Sequence, residues 1–189
     1  MIRIYIADTD TLDLERALEQ ASETRREKAL KISNEDARRL SLGASALMRR
    51  VLGRDDHCVS ENGKPYLPDG SVYFSLSHCG SKVVCAVSDA PIGVDIELRR
   101  EGGCRLAGRF FAADEARAVY AAGDPDAEFC RIWTLKESYI KLFDLRLADM
   151  RSFSVFDPGA ALCSMRYGEY FIGCCANEGS DAEITEVKI

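Results

Sequence analysis

The 189-residue chain has eight cysteines but no C-x-x-C pair, no long apolar run and no low-complexity segment. Without a C-x-x-C pair, a structural zinc site has little support. Cys174 and Cys175 are adjacent, and strand neighbours point to opposite faces, so they do not form a ligand pair. Cys85, Cys130, Cys163 and Cys174 sit in apolar company, where a reduced thiol behaves as a small hydrophobe. Reduced cysteines, and hence a cytoplasmic location, are expected. The lack of a long apolar run argues against a membrane span, and Arg3, Asp8 and Asp10 near the start argue against a secretory signal.

Excess positive charge is also missing overall, since the net charge is −6, yet residues 25 to 54 hold nine basic side chains and three acidic ones. Such a zone in an acidic protein suggests an anionic ligand or partner, with a plain solvated helix face as the alternative. No aromatic residues interleave with these charges, which argues against nucleic acid.

Hydrophobic patterning gives an opening strand at residues 2–7 and a helix carrying Leu14, Leu18 and Ala21, capped by Asp10 or Thr11. A second helix starts from the S-x-x-D signal of Ser33 and Asp36 and ends at Gly53. Its stripe is Ala37, Leu40, Ala44, Leu47 and Val51. Residues 61–70 read as a turn-rich loop. Strands are expected at 72–76, 82–88 and 92–98, with Ser77 to Ser81 connecting the first two. Short helices follow near 106–111 and 114–121, then a longer one near 127–143, and a strand-like tail from Phe153. Each half thus offers helices and strands, which suggests an α+β fold of two similar halves, 1–90 and 91–189.

Two segments carry the chemistry. In Gly93-Val94-Asp95-Ile96-Glu97, Val94 and Ile96 would face a core. Asp95 and Glu97 would share the other face, about 7 Å apart. In Trp133-Thr134-Leu135-Lys136-Glu137-Ser138-Tyr139-Ile140-Lys141, Glu137 and Lys141 lie four apart on one helix face, with Trp133 read as a packing residue. Taken singly, these are an exposed strand edge and an ordinary i,i+4 ion pair of about 0.3–0.5 kcal/mol. Taken together, three carboxylates and a lysine suit a hard divalent cation on a phosphorylated ligand, because oxygen-only donors favour Mg²⁺ or a similar ion.

These motifs resemble the signature of the 4′-phosphopantetheinyl transferases, in the larger pseudo-dimeric, surfactin-synthetase-activating class. Gly63-Lys64-Pro65-Tyr66-Leu67-Pro68, Phe74-Ser75-Leu76-Ser77-His78-Cys79-Gly80 and Arg109-Phe110-Phe111 before Glu115 extend the resemblance over roughly residues 20 to 156. The resemblance implies two α+β halves forming a pseudo-dimer with the ligand site at their interface. It further implies transfer of 4′-phosphopantetheine from coenzyme A to a serine of an apo acyl or peptidyl carrier protein, releasing 3′,5′-ADP. Asp95, Glu97 and Glu137 would hold Mg²⁺, with Mn²⁺ as a substitute, and Glu137 would act as base. Lys141, His78, Ser77 and Lys64 would lie at the nucleotide and its phosphates, and Arg25 and Lys28 at the 3′-phosphate. A monomer is implied, and neither membrane nor nucleic acid is expected as a partner. The pattern departs from the family after Lys141, where Leu142-Phe143-Asp144-Leu145 lacks the usual glycine turn. A Mg²⁺-dependent phosphohydrolase acting on a nucleotide or coenzyme A, and a non-catalytic binding module, are the competing readings.

Overall fold

The computed structural model describes residues 1–179 and 181–189. The chain runs β1 (Ile2–Asp8), α1 (Leu14–Gln20), α2 (Glu23–Leu30), α3 (Glu35–Leu52), β2 (Cys58–Val59), β3 (Pro65–Tyr66), β4 (Tyr73–Cys79), β5 (Lys82–Ser88) and β6 (Ile92–Leu98). After a 3₁₀ turn come α4 (Ala107–Phe110), α5 (Ala113–Ala121) and α6 (Pro125–Phe143). A second 3₁₀ turn leads to β7 (Ala161–Tyr167), β8 (Tyr170–Ala176) and β9 (Ala182–Glu186). The α+β class expected from the sequence is the class observed. Among the described residues, no helix is long and apolar enough to cross a membrane.

A four-stranded sheet has the order β4-β5-β1-β9, and a three-stranded sheet has the order β6-β8-β7. All pairings in them are antiparallel except β1 with β9. Strand alternation sorts the side chains by face. Ile2, Ile4 and Ile6 of β1, Val84 and Ala86 of β5, Ile92, Val94 and Ile96 of β6, and Ile172 and Cys174 of β8 share one buried core between the sheets. The opposite face of the first sheet presents Val83, Cys85 and Phe74 to Ala44, Leu47 and Met48 of α3. The opposite face of the second sheet is covered by α6, whose Ile132 and Leu135 pack with Phe171. The layers are therefore helix, sheet, sheet, helix. β9, from the 91–189 half, joins the first sheet beside β1.

Local signals explain the main helices. Asn34 caps α3 by accepting the Ala37 N–H at 2.8 Å, and Gly53 closes it in the left-handed conformation. Asp124 caps α6 ahead of Pro125. The first helix is capped by Asp13 rather than by Asp10 or Thr11, since β1 and its turn continue further than the sequence pattern suggests. Residues Ser77 to Cys79 lie in β4, not in a connection, and the turn into β5 is the short Gly80-Ser81 step.

α6 sits unusually close to its sheet, and two glycines permit this. A Cβ on Gly93 would fall on the Ser138 carbonyl and 2.7 Å from Leu142 N; one on Gly173 would meet the Thr134 carbonyl and lie 2.7 Å from Leu135 N. Gly173 is the cross-strand partner of Asp95. The helix backbone thus rests directly on the part of the sheet that carries the acidic motif.

Candidate active site

β6 alternates as expected: Val94 and Ile96 enter the core, while Asp95 and Glu97 face α6. The helix contributes Glu137 and Lys141 to the same place. Lys141 Nζ donates to Asp95 Oδ1 at 2.6 Å and to Ser77 Oγ at 2.9 Å, and Ser77 Oγ donates to the same Asp95 oxygen at 2.7 Å. Asp95 is 4% exposed, and its other oxygen, Oδ2, is buried without a hydrogen-bond partner. Glu97 Oε2 accepts the Cys79 thiol at 3.1 Å and lies 3.7 Å from Arg100 Nη2.

Burial and neighbouring carboxylates raise the proton affinity of Glu137 and of Glu97. Burial pushes Glu137 up to about 7 from its ordinary 4.5, and the negative charges of Asp95 and Glu97 add to the effect while Lys141 opposes it. Burial, then Asp95, also raises Glu97. Such crowding of negative charge is what a bound cation relieves. The buried, unpartnered Asp95 Oδ2 and an all-oxygen donor set fit a hard divalent ion. Among the described residues, no three Asp, Glu, His or Cys side chains are drawn close enough to enclose a metal as they stand. Instead Lys141 supplies the positive charge on Asp95.

The remaining sequence-predicted residues are placed less uniformly. His78 projects from β4 with much of its surface exposed; partial desolvation and then Lys141 lower its pKa. Lys64 Nζ donates to the Leu142 carbonyl at 2.7 Å, at the carboxyl end of α6, and burial lowers its pKa. Lys64, Ser75, Glu137 and Lys141 line one open cavity of about 480 Å³ with Asp144 and Arg146. Arg25 of α2 is nine-tenths buried and donates to the Ser41 carbonyl at 3.1 Å, whereas Lys28 is exposed. The structure therefore brings Ser77, Asp95, Glu97, Glu137 and Lys141 together and puts Lys64 on the rim.

The turn after Lys141 forms without glycine. Asp144 ends α6 at φ 53, in the left-handed region, which Asp tolerates better than most residues. Its carboxylate accepts Ser60 Oγ at 2.8 Å, and its carbonyl accepts Asn62 Nδ2 at 2.6 Å. The loop between β2 and β3 thereby clamps the helix end beside the cavity.

Sequence reasoning missed the strongest buried pair. Lys136 and Glu115 are both fully buried, with Nζ 2.8 and 2.7 Å from the two carboxylate oxygens. Lys136 also donates to the Phe153 carbonyl at 2.7 Å, and Glu115 accepts the Ala112 and Val155 N–H groups. This network ties α5 and the segment near Phe153 to α6. Trp133 packs against Phe110, Phe111 and Phe129, as expected of a core residue.

Residues 91–183, which contain β6 and α6, match the model of the 4′-phosphopantetheinyl transferase superfamily. Across most of its length the chain is similar to a 4′-phosphopantetheinyl transferase of Bacillus subtilis, 32% identical over 202 residues, covering 92% of this chain and 90% of that protein. It is 36% identical over 140 residues to the 4′-phosphopantetheinyl transferase Sfp of Bacillus subtilis strain 168, covering 67% and 62%. It is 39% identical over 118 residues to the 4′-phosphopantetheinyl transferase psf-1 of Bacillus pumilus, covering 57% and 50%.

Proposed function

The chain belongs to the 4′-phosphopantetheinyl transferase superfamily, and from that premise we propose how its own residues carry out the transfer. The substrates are coenzyme A and the serine of an apo acyl or peptidyl carrier protein, and 3′,5′-ADP leaves. The observation that supports this most directly is the convergence of Asp95 and Glu97 from β6 with Glu137 and Lys141 from α6.

Asp95, Glu97 and Glu137 would hold Mg²⁺, or Mn²⁺ in its place. When bound, such an ion would supply positive charge against the pyrophosphate. Lys141 is the cation poised beside it: its present partner, Asp95 Oδ1, is shared with Ser77, so it can turn to a phosphate oxygen while Ser77 keeps the carboxylate in place. Glu137, the carboxylate that α6 brings beside Asp95 and Glu97, is assigned as the general base. It takes the proton from the acceptor serine hydroxyl as the oxygen attacks the β-phosphorus of coenzyme A, and the bond to the departing 3′,5′-ADP breaks. The phosphopantetheine stays on the serine. Lys64, on the cavity rim, and His78 are assigned to the nucleotide phosphates, with Arg25 and Lys28 assigned to the 3′-phosphate.

The layered arrangement supports a pseudo-twofold molecule built from residues 1–90 and 91–189, in which one chain supplies both sides of the site and acts as a monomer in the cytoplasm. The test is the intact mass of an apo carrier protein after incubation with this protein, coenzyme A and Mg²⁺. A gain of one phosphopantetheine, abolished by EDTA and by Glu137→Ala, is expected. Cleaved coenzyme A without carrier modification would instead mark a phosphohydrolase. Intact coenzyme A with no modification across several carrier classes would mark a binding module.

A further inference from the structure

The inward side chains of β4 do not simply fill the core. Ser75 Oγ accepts the Val94 N–H at 3.0 Å, Ser77 Oγ reaches Asp95, and Cys79 Sγ meets both Glu97 and the Leu98 N–H. Side chains at alternate positions of one sheet's edge strand thus hold both the backbone of β6 and its two carboxylates. Ser77 is accounted for by the site described above, but Cys79 is not.

We propose that Cys79 is a positioning residue for Glu97, fixing which carboxylate oxygen faces the cation; this rests on the metal-binding reading given above. The thiol is buried, at 6% exposure, and its surroundings fix where its single proton goes. The Leu98 N–H at 3.3 Å and Arg100 Nη2 at 3.5 Å are both donors directed at the sulfur. They occupy its weak acceptor positions and leave the S–H to point at Glu97 Oε2, 3.1 Å away. With Oε2 engaged by Cys79 and Arg100, Oε1 remains as the oxygen for the cation. Groups that orient a ligand in this way commonly alter metal affinity by about 10- to 100-fold when removed.

The experiment is titration of the metal-free protein with Mn²⁺ in the presence of coenzyme A, with free Mn²⁺ followed by electron paramagnetic resonance. Cys79→Ala is expected to weaken Mn²⁺ binding by about tenfold and to raise the Mg²⁺ needed for half-maximal activity, with kcat at saturating metal little changed. Cys79→Ser, which keeps a donor, should recover most of the affinity. Cys85→Ala deletes a fully buried thiol elsewhere in the first sheet and should leave Mn²⁺ binding unchanged. Wild-type affinity in Cys79→Ala, equal weakening in the Ser and Ala variants, or the same loss in Cys85→Ala would each overturn the inference while leaving the metal site intact. Absence of Mn²⁺ binding in the wild type would overturn the underlying reading as well.

Discussion

Replacing Glu137 with glutamine should destroy transfer and yet strengthen the metal-free fold. A carboxyl group whose folded pKa stands above its unfolded value weakens the fold as it ionises. For Glu137 the loss begins near the ordinary 4.5 and is complete above about 7. That interval corresponds to roughly 3 kcal/mol at full burial. Because the side chain borders an open cavity, screening reduces the gain to about 1–3 kcal/mol. Glutamine stays neutral at every pH and keeps the shape, so its advantage should be largest at pH 8 and small at pH 5. Urea unfolding in EDTA, followed through the single tryptophan, Trp133, measures this directly. Added Mg²⁺ with coenzyme A should then stabilise the wild type by mass action and leave the variant behind. A Glu137→Gln protein no more stable than wild type at pH 8, or equally favoured at pH 5, would refute the electrostatic account of the site.

Three further outcomes follow from the packing. Lys136→Met should lower stability by about 3–5 kcal/mol, since it leaves a buried carboxylate unpaired; Glu115→Ala should be worse in the same urea assay, because it also strands the Ala112 and Val155 N–H groups. Gly93→Ala should lift α6 from the sheet and abolish transfer, whereas Gly123→Ala, with open space around it, should be near neutral in both thermal unfolding and activity. Asp144→Ala should cost about 1–3 kcal/mol for a non-glycine residue left in the left-handed region without its tether, and Asp144→Gly appreciably less, as thermal melts of the two variants would show.

The sequence disclosed the elements whose physics is local. The α3 stripe, the Gly53 stop and strict alternation in Gly93 to Glu97 all follow from periodicity and caps, and they predict where the carboxylates point. α2 was invisible because Glu23 to Leu30 is largely charged and has no stripe to read. Residues Ser77 to Ser81 looked like a turn because Ser and Gly favour turns, yet β4 needs small polar side chains there to reach β6. The Lys136–Glu115 pair joins residues 21 apart through packing, and no spacing rule anticipates that. Gly93 was legible as part of a motif, but its reason, contact with the α6 backbone, exists only once the helix is laid across the strand. The turn after Lys141 forms without a glycine because Asp144 enters the left-handed region and is tethered to Ser60.

The parallel pairing of β1 with β9 has a consequence for biosynthesis. Ile2 to Ile6 are synthesised about 180 residues before their sheet neighbours Ala182 to Glu186. During translation one side of β1 has no partner until β9 is made. Such a contact is slow to form because a long loop must be closed first. Until then β1 offers a bare edge to other nascent chains, so the yield of folded protein should depend on how quickly β9 is delivered.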